Sequence, residues 1–220
     1  MKSSSLLKAI KLKFNFSNYK ESQTLILGEP SSDFDLSSKD RLQCKGQYKK
    51  KAAVFFLLKE TSQGLRVIFT KRAKNLSSHP GQISFPGGIV ERNDSSILNA
   101  GLREVGEEIG LNKNTIQTVG SLRPHETVSK FLIHPFVGIM DSSAEFKINT
   151  REVAELFEVP LEFLLDRNNM SKHKIQKAQQ YVGYYAIPYG PYYIWGATAR
   201  ILYNFSEKFF NKWGSNFESN

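Results

Sequence analysis

Short apolar runs and periodic apolar stripes divide this chain into predicted strands and helices. The longest uninterrupted apolar run, Ala52–Leu58, is bounded by charge and predicts a buried strand. Leu65–Thr70 predicts a second strand after a Ser-Gln-Gly turn, and Thr115–Val119 and Phe131–Met140 predict two more. Tyr181–Tyr193 is aromatic and broken by Pro and Gly, so both strand and loop stay open for it.

A 3.6-residue periodicity predicts the strongest helix of the chain just before Gly110. Asn93 or Asp94 can cap its N-terminus, and Gly110 suits its C-terminal end. Its apolar residues lie on one face of the helix, and they are Leu98, Leu102, Val105 and Ile109.

Weaker patterns predict four further helical segments. Leu6–Phe14 is typical of a short amphipathic helix, and Ala197–Phe210 predicts a closing helix. Arg151–Phe157 and Leu161–Leu165 are predicted as helical, separated by Pro160. Because strands and helices mix without a regular strand-helix-strand repeat, the pattern predicts an α+β fold, or a sandwich with helices outside.

Composition narrows the class of protein. A length of 220 residues is typical of one domain with an extension, and 40% hydrophobic content excludes fibrous and wholly disordered chains. No apolar run approaches the roughly 20 residues that a membrane-spanning helix needs. Cys44 is the single cysteine, which excludes an internal disulfide framework. The first residues lack the apolar region of a secretory signal, so we expect a cytoplasmic protein.

The basic excess is concentrated at the N-terminal end. Residues 1–51 hold eleven Lys and Arg against five acids, which is +6 of the total +9. A nucleic-acid or acidic-membrane arm, a face that helps to hold an anionic ligand, and plain solubility are three interpretations of this excess. Any nucleic-acid affinity is therefore expected only from this segment.

Three carboxylates share one flank of the strongest predicted helix. At 100° per residue, Glu104, Glu107 and Glu108 fall outside the apolar stripe and close to one another. Like charges at this spacing repel, and no lysine is interleaved among them. Clustered carboxylates are what hard divalent cations prefer. Gly87 and Gly88 precede the helix and permit close backbone approach to a metal or a phosphate.

The segment Gly88–Leu111 resembles a Nudix box. Residues 103–111 match the pattern R-E-U-x-E-E-x-G-U, where U is apolar, at every position. The first half departs from the box, because Asp94 stands in place of its first glutamate and one extra residue separates Asp94 from Arg103. Both departures are similar to the coenzyme A pyrophosphatase branch of the Nudix hydrolase superfamily.

Segments outside the box resemble the same branch. Residues 69–73 and 81–88 are similar to its second signature, with Ser77 where that signature usually has an arginine. The similarity to later segments involves residues 152–155 with 159–161, and residues 194–199.

The resemblance implies a fold and a domain organisation. It covers roughly residues 52–202, which leaves a basic N-terminal extension, 1–48, and a Nudix hydrolase domain, 49–220. The implied architecture is α+β, a Nudix-type α/β/α sandwich with a mixed central sheet. Homodimers are frequent among such enzymes, so a homodimer is expected as one possible state.

The resemblance also implies metal ligands. In Nudix enzymes the box glutamates bind Mg²⁺ or Mn²⁺, which bridge a pyrophosphate. By this resemblance, the expected ligands are Glu104 and Glu108, with Glu107 close behind. The carbonyl of Gly87 or Gly88 is expected to complete the shell.

The catalytic candidates implied by the resemblance are Arg103, Glu107 and Glu152. Arg103 is expected to fix Glu104 or a neighbour by a bidentate bond, with an ordinary helix salt bridge as the alternative. Two places stay open for the general base. One is Glu107 or Glu108 in the box, and the other is Glu152 at the start of a later predicted helix, where a first-turn acid would also suit the helix dipole.

The candidates for substrate binding lie just before the box and are Arg72, Gln82, Ser84, Phe85 and Gly87. By resemblance, the substrate is coenzyme A or a derivative, cut to 4′-phosphopantetheine or its acyl form and adenosine 3′,5′-bisphosphate. The first alternative is hydrolysis of another nucleoside diphosphate derivative, such as ADP-ribose, NADH or an oxidised nucleotide. The second is a catalytically inactive Nudix fold that binds a nucleotide or RNA.

Overall fold

The computed structural model describes residues 3–14, 30–36, 50–177 and 180–213. The helices of this part are α1 (Ser3–Phe14), α2 (Ile97–Ile109), α3 (Leu161–Leu165) and α4 (Gly196–Trp213). The strands are β1 (Ser31–Ser32), β2 (Lys50–Thr61), β3 (Gly64–Arg72), β4 (Ile83–Ser84), β5 (Gly87–Ile89), β6 (Ile116–Ser121), β7 (His125–Glu126), β8 (Phe131–Met140), β9 (Val153–Pro160), β10 (Ser171–Lys177), β11 (Gln180–Tyr189) and β12 (Tyr192–Trp195).

Within these described ranges, nine strands form a mixed main sheet and three form a smaller antiparallel one. The main sheet follows the order β1-β7-β8-β2-β3-β4, with β5 added to β2, β6 to β8 and β9 to β3. Strands β2 and β8 are parallel, while β3 pairs antiparallel with β2, β4 and β9. The small sheet has the order β10-β11-β12. This arrangement confirms the predicted α+β class with a mixed central sheet.

Strand β2 is the centre of the fold because both of its faces are buried. Phe55 and Leu57 belong to the apolar cluster under α2, whereas Phe56 and Leu58 belong to the cluster on the opposite face. A strand covered on both faces has no polar side to show, which explains the uninterrupted apolar run. Along its length β2 meets β5 in its first half and β3 in its second.

Helices cover both faces of the main sheet. Helix α2 places Ala100, Val105 and Ile109 on one face. The other face packs against residues of α1, α3, α4 and the small sheet, such as Ile10 and Phe205, both almost fully buried. The predicted N-terminal helix is therefore present, and it contributes to the core of the domain. Among the described residues, no helix combines the length and apolar character that a bilayer span requires.

The structure corrects the helix predicted for Arg151–Phe157. This segment belongs instead to β9, Val153–Pro160, which pairs antiparallel with the edge of β3. Val153, Phe157 and Val159 are buried at a spacing that suits a strand. Pairing with an open sheet edge and burial of these side chains outweigh the local helical pattern. The predicted helix at Leu161–Leu165 is confirmed as α3.

The predicted N-cap of the α2 helix is also corrected. Neither Asn93 nor Asp94 caps it; Ser96 has extended backbone and accepts a hydrogen bond from the Asn99 backbone N–H at 3.0 Å. The predicted end is confirmed, because Gly110 adopts the left-handed conformation with φ of 69°. Asp94 therefore does not cap the helix, and its carboxylate pairs with Arg103 instead.

Candidate active site

The glycine pair before α2 forms strand β5 and lies directly against β2. Gly87 has φ of +145°, and a Cβ at this position would lie 2.2 Å from the Ala53 carbonyl oxygen. A Cβ at Gly88 would lie 2.4 Å from the carboxyl carbon of Glu104. Position 87 thus requires glycine, because a Cβ there would overlap backbone atoms of β2, whereas a Cβ at Gly88 would displace the end of the Glu104 side chain.

Glu108 is the buried carboxylate of the site, with only 3% of its side chain exposed. Its Oε2 accepts a hydrogen bond from the Gly87 backbone N–H at 3.1 Å, and Arg72 Nη1 lies 3.8 Å from its Oε1. Burial raises its pKa to about 7, against the lowering effects of Gly87 and Arg72. Glu104 and Glu152 are near enough to raise this pKa further.

Glu104 lies beside Glu108 on the same flank of α2, with 13% of its side chain exposed. Its pKa is raised, chiefly by burial, although the neighbouring Arg103 lowers it. The carboxylates of Glu107 and Glu152 add a further raising effect. Two shielded carboxylates with raised pKa values mark a place where negative charge is incompletely compensated within the protein.

Arg103 joins the box glutamates to the start of the motif. Its Nε and Nη2 donate to the two Asp94 oxygens at 3.0 and 3.1 Å, a bidentate pair. Its Nη1 donates to Glu104 at 3.1 Å and to Glu107 at 2.8 Å, and Nη2 also donates to the Ile89 carbonyl. The bidentate partner is therefore Asp94, and Arg103 holds Glu104 and Glu107 by single bonds. The pairing with Arg103 lowers the pKa of the Asp94 carboxyl group.

The sequence does not distinguish the three box glutamates from one another, but the structure does. Glu107 is 52% exposed and turned toward Arg103, while Glu104 and Glu108 are shielded. As the side chains stand, no group of three His, Cys, Asp or Glu in the described ranges is close enough to enclose a cation. The outward turn of Glu107 accounts for this spread.

The donor chemistry fits a hard divalent cation. Glu104 and Glu108 offer shielded carboxylate oxygens beside the glycine turn, which is the ligand type that Mg²⁺ and Mn²⁺ prefer. Burial is the main cause of their raised pKa values, and a bound cation would favour the ionised carboxylates. These two residues could hold the metal, with Glu107 reaching it after rotation away from Arg103.

Glu152 reaches the site from the loop before β9. Its backbone carbonyl accepts from Ala73 N–H at 2.8 Å, which ties it to the end of β3. Its Oε1 accepts from the Asn149 side-chain amide at 3.1 Å. Because Glu152 precedes a strand, the suggested role as a first-turn helix acid does not apply. The carboxylate instead influences the pKa values of Glu104 and Glu108.

The predicted substrate-binding residues differ in how far they are exposed. Arg72 and Ser84 lie at the rim of the site, with Arg72 beside Glu108 and Ser84 Oγ 3.3 Å from Thr70 Oγ1. Gln82 is partly exposed, and its carbonyl accepts from the Arg72 backbone N–H. Phe85 is 2% exposed and its ring packs on Phe69, so the core position leaves no face for a substrate. Ile83 and Phe85 alternate with Ser84 along an extended segment, which directs both apolar residues inward.

The contacts of two residues of the site were not predicted from the sequence. Asp94 was predicted as a helix cap and as the residue in place of the first glutamate of the box, and the structure shows that it supplies the bidentate partner of Arg103. Asn149 was not considered, yet it bonds the Glu152 carboxylate. The separation of nine positions between Asp94 and Arg103 is compatible with a helix cap as well as with an ion pair, so only the three-dimensional arrangement assigns the role.

Asp94→Asn is expected to destabilise the protein by about 1–3 kcal/mol, since asparagine offers the guanidinium one acceptor in place of two. Above the lowered pKa of Asp94 the ionised carboxylate contributes stability, which is lost as the pH falls through that value. Urea unfolding at neutral pH measures the loss. Asp141→Asn is the matched control, because Asp141 is exposed and its carboxylate bonds only Ser143 in its own turn in the contacts described. Equal effects of the two changes would contradict the role given to Asp94.

Several known proteins are similar to this chain in sequence. The sequence pattern of the NUDIX domain matches residues 48–179. A protein of Pectobacterium atrosepticum named uncharacterized Nudix hydrolase NudL is 36% identical over 137 residues, which cover 62% of this chain and 71% of that protein. Nudix hydrolase 15, mitochondrial, of Arabidopsis thaliana is 39% identical over 160 residues, which cover 70% of this chain and 56% of that protein.

A solved structure of a MutT/nudix family protein from Enterococcus faecalis is similar over 80% of this chain and 66% of that chain. The TM-score is 0.47 and the sequence identity is 16%.

Proposed function

The chain belongs to the Nudix family, and from this premise we propose that it hydrolyses the diphosphate bond of coenzyme A or a CoA derivative with Mg²⁺ or Mn²⁺. The observation that carries the proposal is the pair of shielded carboxylates, Glu104 and Glu108, beside the turn at Gly87 and Gly88. A divalent cation is a suitable partner for these carboxylates, and a diphosphate is a suitable partner for the cation.

The residues that would hold the cation are Glu104 and Glu108, joined by Glu107 and the carbonyl of Gly88. When bound, the cation neutralises phosphate charge and lowers the pKa of a bound water. Arg103 keeps Glu104 oriented, because its guanidinium is itself fixed by Asp94. Gly87 does the same for Glu108 through its backbone N–H.

The chemistry of the protein's own groups follows from their places around these carboxylates. Glu152 accepts a proton from the attacking water, since its carboxylate faces Glu104 and Glu108 from a separate loop. Arg72 balances negative charge on the diphosphate from the end of β3. The water oxygen bonds to one phosphorus, the bridging P–O bond breaks, and the other phosphate leaves with the bridging oxygen.

Support for coenzyme A as the substrate comes from the segments around the box. Residues 81–88 and 194–199, which both resemble the coenzyme A branch, contact each other, since Thr198 Oγ1 donates to the Ile83 carbonyl at 3.0 Å. Strand β4 also pairs with the end of β3, so residues 81–88 lie next to Arg72. The two segments thus contact each other at β4, beside the end of β3. A cytoplasmic location and a small-molecule substrate are part of the same proposal.

Incubation with Mn²⁺ and separate samples of CoA, NADH, ADP-ribose and dGTP tests the substrate. We expect CoA to yield 4′-phosphopantetheine and adenosine 3′,5′-bisphosphate, resolved by chromatography, because the segments around the box resemble those of the coenzyme A branch. The Glu108→Gln protein, purified identically, controls for contaminating hydrolases. Intact CoA together with cleavage of another substrate would contradict the coenzyme A assignment, and no cleavage at all would favour a binding role.

A further inference from the structure

The loop from Lys147 to Glu152 is folded back onto the C-terminal end of α2. Lys147 N–H donates to the Ile109 carbonyl at 2.8 Å, and Asn149 N–H donates to the Glu108 carbonyl at 2.9 Å. The last carbonyls of a helix have no partner within the helix, so these bonds satisfy groups that otherwise need water. The loop is thereby attached to the same residue, Glu108, that supplies the most buried carboxylate.

Asn149 is the centre of this loop, because its backbone and side chain bond on several sides. Its carbonyl accepts from the N–H groups of Glu152 and Val153 at 3.0 and 2.9 Å. Its Oδ1 accepts from Arg151 N–H at 3.2 Å, which closes a tight local turn. Its Nδ2 donates to Glu152 Oε1 at 3.1 Å. The amide oxygen of Asn149 thus stabilises the turn, while its amide nitrogen binds the Glu152 carboxylate.

We propose that Asn149 is the positioning residue that holds the Glu152 carboxylate toward Glu104 and Glu108. The inference rests on the proposed function, in which Glu152 takes the proton of the attacking water. Like charges repel, so Glu104 and Glu108 act to turn the Glu152 carboxylate away from them. A neutral amide donor on one oxygen opposes that rotation and leaves the other oxygen available to a water.

The backbone bonds of the loop do not fix the carboxylate by themselves. They place the Cα of Glu152 through Ala73 and Asn149, but the torsions of a glutamate side chain remain free. Among the contacts that the structure describes for Glu152, the bond from Asn149 Nδ2 is the one made to its carboxylate. Asn149 therefore acts through Glu152 and itself touches no reacting atom.

Two substitutions separate the tasks of the amide. Asn149→Ala removes both side-chain bonds, whereas Asn149→Asp keeps the acceptor for Arg151 and replaces the donor to Glu152 by a negatively charged acceptor. We expect both variants to lower kcat roughly tenfold with little change in KM, since general-base catalysis as a whole contributes about 10²–10⁴. If the turn alone matters, Asn149→Asp keeps wild-type kcat, and the proposal is overturned. Asn114→Ala, at an exposed asparagine, is the matched control.

A double-variant cycle tests whether Asn149 acts through Glu152. Glu152→Gln is expected to lower kcat by about 100-fold or more, and adding Asn149→Ala should lower it no further. Losses that multiply in the double variant would show that Asn149 works independently of Glu152 and would overturn the proposal. Equal thermal midpoints of the variants confirm that the fold is kept.

Mn²⁺ binding, measured by electron paramagnetic resonance without substrate, gives a readout independent of turnover. Displacing the Glu152 charge from the site should weaken Mn²⁺ binding about threefold in Asn149→Ala, in Glu152→Gln and in the double variant alike. If the wild type binds Mn²⁺ and cleaves no diphosphate, this pattern still supports the positioning role while the proposed function fails. If CoA is cleaved but Asn149→Ala matches the wild type in kcat and Mn²⁺ affinity, the positioning role fails and the function stands.

Discussion

Replacing Glu108 by glutamine is expected to lower turnover by roughly a thousandfold while the protein stays folded. Glutamine has nearly the shape of glutamate, and its carbonyl oxygen can still accept the hydrogen bond from Gly87 N–H. What is lost is the negative charge in the most shielded position of the site. Steady-state hydrolysis of the substrate with saturating Mn²⁺ measures the effect.

The same variant has an expected stability signature without metal. Burial raises the folded-state pKa of Glu108 to about 7, above its ordinary value of 4.5, so ionising it opposes folding. This cost is absent below about pH 4.5, grows as the pH rises toward 7 and is complete above it. Glu108→Gln is not ionised at any of these pH values, so the metal-free variant should melt higher than the metal-free wild type at pH 8 and equal to it at pH 4.

Two other substitutions make the Glu108 result specific. Glu145→Gln removes a charge from an exposed loop residue and should leave turnover unchanged. Glu107→Gln should have a smaller effect than Glu108→Gln, because Glu107 is half exposed and bonded to Arg103. Unchanged turnover in Glu108→Gln would remove this residue from the metal site.

Gly87→Ala is expected to destabilise the protein by about 3 kcal/mol or more and to abolish most activity. At φ of +145° an alanine is strained, and its Cβ would overlap the Ala53 carbonyl oxygen at 2.2 Å and the Val54 Cα at 2.6 Å. Both contacts are backbone atoms of the central strand β2, which cannot give way. Any shift of β5 also moves the N–H that holds Glu108.

Gly81→Ala is the control for this change. Gly81 also has positive φ, +71°, but no atom lies within 4 Å of its added Cβ. Its loss should therefore be limited to the backbone strain of about 1–2 kcal/mol. Urea unfolding of both variants, with turnover measured on the folded protein, gives the comparison. Similar unfolding free energies for the two would show that contact with β2 is not what requires glycine at position 87.

How far the sequence predicts the fold depends on how local each signal is. The strand at Phe131–Met140 has the bounds that the pattern predicts, and the helix before Gly110 ends where expected. The segment 151–157 was predicted as a helix and is mostly strand, because the edge of β3 offers pairing that no local pattern reveals. The sequence predicts a turn or a strand from the residues of that segment alone. It does not predict which other strand the segment pairs with.

The site shows the same division among particular residues. Spacing on a helix places Glu104, Glu107 and Glu108 on one flank, and the sequence predicts that much. It does not predict that Glu108 is buried under β5 while Glu107 turns outward to Arg103. The sequence also predicts both Phe85 and Ser84 as substrate-binding residues. The extended backbone directs Phe85 into the core and Ser84 toward the rim of the site.

The sequence by itself determined the family resemblance, the acidic helix, the glycine turn before it and the concentration of basic charge in the first 51 residues. These features depend on residue type and spacing within short segments, and both can be read directly from the sequence. Only the tertiary structure decided the partner of Arg103, the burial of Glu108 and the loop that brings Glu152 to the box. Each of these depends on segments distant in sequence, whose contact is set by the packing of the whole sheet.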